Sequence, residues 1–258
     1  MYKCIMECHV KKTDPQPTTP TTVSVDPLRN HRFYASTHND SALNSLIDLL
    51  LDMQPGERLP SERELTQTLN VSRNTLRDRI GRLESMGALS RKERQGTFYT
   101  GVQAEQTSDV LILGLMFQQM TLESLISVRH ALERQAAIEA CTNATPESIS
   151  ELEAGVAAME NTEDGRELLE ADAAFHRALF AASASPALLF FSQMLHSVLK
   201  GTLQYLTLEH DFQTMRRVHA HILEAVKSRD TGQVTEAIDA HFDWLHELRA
   251  TEKAAQEA

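Results

Sequence analysis

The sequence predicts a mainly α-helical protein in two parts: a small N-terminal unit of three helices closed by a β-hairpin, then an antiparallel all-helical bundle. Three observations carry that reading. Apolar residues recur at helical spacing of 3 and 4 from Ser41 onward, with cap and break signals between the runs. Only one stretch, 89–99, reads as paired strands around a polar turn. Charge divides the chain as well: residues 57–101 carry +3, residues 1–56 carry −1 and residues 102–258 carry −13, within a total of −11. A basic unit joined to an acidic one implies one surface that tolerates polyanions and one that repels them.

Composition sets the outer bounds. With 258 residues, the chain has room for one large domain or two small ones. No apolar run approaches the roughly 18 residues of a membrane span, so an integral membrane protein is not expected. No charged start with a long apolar stretch follows Met1, so no secretory signal is expected either. The three cysteines, Cys4, Cys8 and Cys141, do not make a disulfide framework, which fits a reducing cytoplasm.

In order along the chain, residues 1–40 are rich in Pro and Thr and read as a disordered tail. Cys4, Cys8 and His9 lie in it, but three potential metal ligands on an unstructured segment form a weak pattern. Residues 41–101 form the first unit. Leu43, Leu46, Ile47 and Leu50 mark its first helix, and Pro55-Gly56 breaks the chain. Ser61-Glu62-Arg63-Glu64 has the form of a capping box and opens a short second helix. After a turn at Asn70-Val71, Ser72 caps a third helix with Leu76, Ile80 and Leu83 inward, ending at Gly87. A hairpin follows, with Leu89, a polar turn at Lys92–Gly96, then Thr97-Phe98-Tyr99. That layout is a winged helix-turn-helix. Residues 102–108 read as a polar linker. The bundle occupies 109–250, with helices expected at 109–119, 121–142, 146–160, 164–183, 186–207, 211–228 and 231–250, and 251–258 is a tail. Thr121, Thr145-Pro146 and Ser185-Pro186 supply the punctuation.

The third helix has the chemistry of a DNA reader. Opposite its buried stripe, the first turn presents Arg73, Asn74 and Arg77. Arg donates two hydrogen bonds to guanine, Asn pairs with adenine, and the helix N-terminus favours phosphate. Arg63 starts the preceding helix near the groove edge, and Gly96 at the hairpin lets backbone approach DNA. With Ser72 at the cap, the DNA-contact candidates are Arg63, Ser72, Arg73, Asn74, Arg77 and Gly96.

These residues resemble a known family. Pro55–Leu65, Val71–Arg77, Leu83–Gly87 and Gly96-Thr97-Phe98 closely resemble the N-terminal domain of GntR-family bacterial transcription regulators. The resemblance implies operator contacts at Arg63, Arg73, Arg77 and Gly96, as in the FadR-like branch. The chain departs from the pattern at Asp78-Arg79-Ile80, where many relatives carry Glu-Ala-Leu; Arg79 either adds a phosphate contact or is merely exposed.

Histidine is concentrated in the acidic part, where His130, His176, His196, His210, His219, His221, His241 and His246 all lie. Asp172 and His176 are four apart and share a helix face. His219 and His241 belong to two later helices. Imidazole and carboxylate suit Zn, Ni, Fe or Mn, but spacing alone does not separate a metal site from histidines satisfied at the surface or in the core. Apolar neighbours such as Phe175, Leu179, Phe180, Ile222 and Val226 would keep these polar groups inside, where they need partners. His196 either lines a cavity or faces solvent. His221 and His246 fall off the cluster. Trp244, Met194 and Met215 read as core.

Val128–Glu133, Asp172–His176, His219–Val226 and Ala237–His241 look like the FCD ligand-binding domain of FadR-like GntR regulators. Ala182–Pro186 departs from the Gly-Asn that usually precedes this proline. The resemblance implies an FCD-like antiparallel bundle with a divalent ion, zinc first and Ni, Mn or Fe as alternatives, on Asp172, His176, His219 and His241. It also implies that Arg129 points into the effector cavity. The expectation is a cytoplasmic homodimer that binds a palindromic double-stranded operator under control of a small carboxylate. Two rival readings stand beside it: a metal-free FadR-like regulator sensing an acyl thioester, and a metallohydrolase. The second lacks a general base or nucleophile near the cluster.

Overall fold

Leu43, Leu46 and Leu50 lie on one face of α1 (Ser41–Leu51), and all three are buried. This is the first element of the computed structural model, which describes residues 40–203 and 212–257. The expected tail, with Cys4, Cys8 and His9, lies outside the described residues except for Asp40. Asp40 caps α1: its carboxylate accepts from the Leu43 amide at 3.1 Å.

α2 (Glu62–Thr68) opens on the capping box that the sequence announces, with Ser61 and Glu64 bonding reciprocally. α3 (Arg73–Ser85) starts on Ser72, whose hydroxyl accepts from the Thr75 amide. Strands β1 (Leu89–Lys92) and β2 (Gly96–Tyr99) pair antiparallel, with Leu89 opposite Tyr99 and Lys92 opposite Gly96. The loop after Pro55-Gly56 runs along the outer edge of β2: Leu59 donates to the Thr97 carbonyl and Tyr99 to the Glu57 carbonyl, both at 2.9 Å. Leu43, Leu46, Leu65, Leu76, Ile80 and Leu89 close one apolar core beneath these elements.

Residues 102–108 are more structured than a polar linker. They contain α4 (Ala104–Thr107), and Ala104 is buried. Then come α5 (Asp109–Met116), α6 (Leu122–Asn143), α7 (Pro146–Glu160), α8 (Gly165–Ala182), α9 (Pro186–Leu203), α10 (Phe212–Ser228) and α11 (Thr231–Glu257). α4 packs on α9. α5 stops short of residue 119 where Gln118 takes a left-handed conformation, φ 57°. The expected end of the 186–207 helix lies outside the described residues. α11 runs on to Glu257 rather than ending at 250, so the proposed tail at 251–258 is helical through 257. Thr-Glu-Lys-Ala-Ala-Gln-Glu consists mostly of strong helix formers, and the Thr251 hydroxyl donates to the Glu247 carbonyl. No described helix is long and apolar enough to cross a membrane.

Helix ends in the bundle are tied by side chains. Thr121 and Thr145 form reciprocal caps with Ser124 and Ser148, and Asp164 accepts from two amides of α8. Two arginines satisfy carbonyls at C-terminal ends. Arg229 donates to Cys141 and Ala144, and Arg216 donates to Met159 and Thr162. Ile126, Leu152, Met159, Leu168, Phe175, Leu179, Ile222 and Phe242 fill the middle.

α7 and α8 are in close contact because Gly155 has no side chain. A Cβ there would meet Phe175 Cβ at 3.0 Å and its backbone Cα at 3.1 Å. Phe175 in turn sits edge-on to the rings of His176 and His219. Gly155→Val should therefore overpack the core at a cost of about 1–3 kcal/mol, read as a lower Tm. An unchanged Tm would show that the two helices separate freely.

Candidate metal centre and nucleic-acid interface

α8 brings Asp172 and His176 to one face, one turn apart. His219 arrives from α10 and His241 from α11. One ligand atom from each of these four lies within 4.8 Å of every other. The three histidines are buried, His219 completely. His219 Nε2 lies 2.9 Å from Asp172 Oδ1 and 3.2 Å from His176 Nε2, and His176 Nε2 is 3.3 Å from the same Asp172 oxygen.

The Nδ1 atoms of His219 and His176 face away from this centre. His219 Nδ1 is 2.7 Å from the Met215 carbonyl, which only accepts, so that nitrogen donates and Nε2 is left with its lone pair. His176 Nδ1 faces Glu133 Oε2 of α6 at 3.0 Å, an ion-pair distance without hydrogen-bond alignment. His241 Nδ1 is buried with no hydrogen-bond partner, which ordinarily costs about 1–3 kcal/mol. Without an ion, the proton that His176 holds supplies the positive charge among these groups, and a divalent cation would take its place. Imidazole nitrogens and a carboxylate are borderline donors that suit Zn²⁺, Ni²⁺, Mn²⁺ or Fe²⁺, so the residues present fit a divalent ion.

Electrostatics around the cluster are strongly coupled. Burial works against a charged His176, but Glu133 and Asp172 outweigh it and hold its pKa up at about 9. Burial likewise opposes charge on Asp172, yet His176 and His219 keep it well below the usual carboxylate range. For Glu133, Arg129 and His176 overcome burial in the same direction. His241 is pushed well below its ordinary value by burial and then by His219 and His176, so it stays neutral.

A cavity of about 310 Å³ opens beside His176. Arg129 and Glu133 form part of its wall, as do Ser192, Gln193 and His196 from α9. Arg129 donates from Nε to Glu133 Oε1 at 2.6 Å, and its other N–H groups remain for further contacts. His196 lines this cavity. Burial and the charges of Arg129 and Arg177 push it down to about 4, so it is neutral near pH 7. His221 and His246 are exposed, Met215 is buried and Trp244 packs on the core. Two residues at this site were not singled out from sequence, Glu133 and Arg177. Glu133 is four residues after Arg129, the spacing of a paired helix face, and that was the available signal.

In the N-terminal unit, Arg63, Arg73, Asn74 and Arg77 are all exposed on α2 and α3. Glu62 holds Arg77 at 2.8 Å and reaches Arg91 at 3.9 Å, so it links both helices of the turn to the hairpin. Ser72 is engaged in capping α3. Gly96, at φ 114°, leaves room for Arg58, since a Cβ would meet the guanidinium Nε at 2.8 Å. Arg79 is turned to Asp40 and Asp78, pinning α1 to α3. In this arrangement Arg79 is neither merely exposed nor free, being engaged by two carboxylates.

Two family models match the chain. Residues 42–98 match the gntR family of bacterial regulatory proteins, and residues 124–243 match the FCD domain. Among named relatives, the transcriptional regulator LutR of Bacillus subtilis is 27% identical over 74% of this chain and 90% of its own length. The Glc operon transcriptional activator of Escherichia coli is 29% identical over 72% of this chain and 78% of its own. In fold, the chain is similar to a Streptococcus agalactiae GntR structure, with a TM-score of 0.60 at 21% identity, over 80% of this chain and 98% of that one.

Two outcomes follow for the cluster. His219→Ala should lose a stoichiometric divalent ion in metal analysis, and Glu133→Gln should weaken its affinity about 10- to 100-fold; unchanged affinity in both would sink the assignment. Metal must also displace the proton that His176 holds at about 9. Apparent affinity should rise about tenfold per pH unit from 7 towards 9 and then level off. Chelator competition at several pH values measures this, and a flat profile contradicts it. In ion-free protein the sign reverses. A folded pKa of about 9 against an ordinary 6.5 contributes stability that is complete below pH 6.5 and is lost as pH rises through 9.

Proposed function

The chain belongs to the GntR family of bacterial regulatory proteins and carries a C-terminal FCD domain, a family of transcription regulators rather than enzymes, and from that premise we propose that it is a metal-dependent sensor of a small carboxylate. The convergence of the part-buried Asp172 carboxylate with the buried His176, His219 and His241 nitrogens beside a cavity is the observation that carries this reading. Asp172, His176, His219 and His241 hold the ion, with zinc the first choice and Ni, Mn or Fe as alternatives. When bound, it supplies a Lewis-acidic centre for the oxygens of the acid. Arg129, kept ionised by Glu133 and Asp172 against the cost of burial, offers its remaining N–H groups to the carboxylate. A cavity of about 310 Å³ lies at the small end of ligand sites. That favours a small acid over an acyl thioester.

The reading head takes double-stranded operator DNA in the major groove through Arg73, Asn74 and Arg77. Ser72 caps the recognition helix, Arg63 lies at the groove edge, and Gly96 with its hairpin lies beside the backbone. Its place of action is the cytoplasm. Coupling between acid and DNA runs through α9. One part of that helix lines the cavity at Ser192 and His196, and α4 packs on it. Gln106 of α4 lies against Gly87, where α3 gives way to β1. An acid that favours one setting of α9 thus biases the head, as differential binding to two states requires. A homodimer on a palindromic site completes the reading. It is supported by the exposed apolar face of α5 and its end, where Val110, Met116 and Phe117 are 67%, 70% and 66% exposed.

Arg73→Ala and Arg77→Ala should each weaken specific operator binding by about 1–3 kcal/mol and leave non-specific binding nearly intact. Gel shifts against specific and scrambled duplexes measure this. Equal affinities for wild type and variants would reject the recognition helix.

A further inference from the structure

The cavity beside the cluster has two arginines in its wall, and they are in different electrostatic situations. Arg129 is part-buried, its side chain 12% exposed, and is paired with Glu133. Arg177, the residue after His176 on α8, is exposed and has no acidic partner among the described residues. Formal charges at the cavity and the adjoining cluster can be counted. Glu133 and Asp172 supply two negative charges, Arg129 and Arg177 supply two positive ones, and His196 is neutral. A divalent ion on the cluster then leaves a surplus of two positive charges. A monocarboxylate removes only one of them. The volume points the same way. A cavity of about 310 Å³ has room for an acid longer than three carbons.

Resting on the metal-dependent reading above, we propose that Arg177 anchors a second anionic group, so that the effector class is a small dianion with an acidic group at each end. One end lies at the cluster and Arg129. The other lies towards the mouth of the cavity, where Arg177 offers a forked, charge-assisted contact and Ser192 and Gln193 offer neutral hydrogen bonds. Arg177 is a specificity residue in this account, because its pairing distinguishes acids of equal length that differ only in the far group.

Calorimetric titration of the full-length, Zn-loaded chain tests this with matched acids: L-malate against 2-hydroxybutyrate, and 2-hydroxyglutarate against 2-hydroxyvalerate. In at least one pair the diacid should bind about tenfold or more tightly than its monoacid. Arg177→Gln should remove that advantage while leaving monoacid affinity within about twofold, and Arg177→Lys should restore part of it. A phosphorylated hydroxy acid such as 3-phosphoglycerate, run in the same series, tells carboxylate from phosphate as the far group. Equal affinity for mono- and dianions, or an Arg177→Gln variant that weakens both alike, overturns the proposal and leaves the metal-dependent reading standing. If none of the acids binds, that reading fails and this proposal fails with it.

Discussion

A carboxylate oxygen and two imidazole nitrogens lie within 3.3 Å of one another, and a positive charge among them, a proton or a metal ion, lets them stay so close. Much of the C-terminal bundle is arranged around that close approach. α8 and α10 deliver these groups and α11 adds His241, and the Met215 carbonyl and Glu133 turn two imidazoles so that their other nitrogens face inward. Phe175 wedges edge-on against two of the rings and is itself held by the gap at Gly155. A metallohydrolase would need a base and an open approach for water. Here the carboxylate beside the cluster, Glu133, is engaged by Arg129 and His176 and is not free to act as a base.

The same geometry would let an acidic domain take the acidic ligand proposed for it. A net charge of −13 over residues 102–258 repels anions at long range. At the cavity Arg129 and Arg177 offset Glu133 and Asp172, and a divalent ion on the cluster would turn the local balance positive. The head shows a parallel economy of charge. Glu62 and Asp40 each engage arginines, but with different results: Arg79 is withdrawn into an internal tie, while Arg77 stays on the exposed face of α3.

Local signals carried most of the fold. Ser61, Ser72, Thr121 and Thr145 were legible as caps because capping is decided within four residues, and the structure places each at a helix start. Misread segments were those decided by tertiary contact or by weak endings. Residues 102–108 look polar in isolation, and the helix there rests on burial of Ala104 against the bundle. The end of α11 carried no stop signal, and its residues simply prefer helix. At the site, Asp172, His176, His219 and His241 were found partly by resemblance, since spacing across three helices says little. Glu133 and Arg177 escaped because their importance depends on what the folded chain sets around them: His176 opposite one, and for the other the cavity that it lines.

Anomalous diffraction from crystals of the protein purified with its native ion tests the central claim most directly. The account predicts a single anomalous peak about 2.0–2.2 Å from a nitrogen of His176, His219 and His241 and from an oxygen of Asp172. No anomalous signal at that point, with Asp172 and His219 joined instead by a direct hydrogen bond, would contradict it.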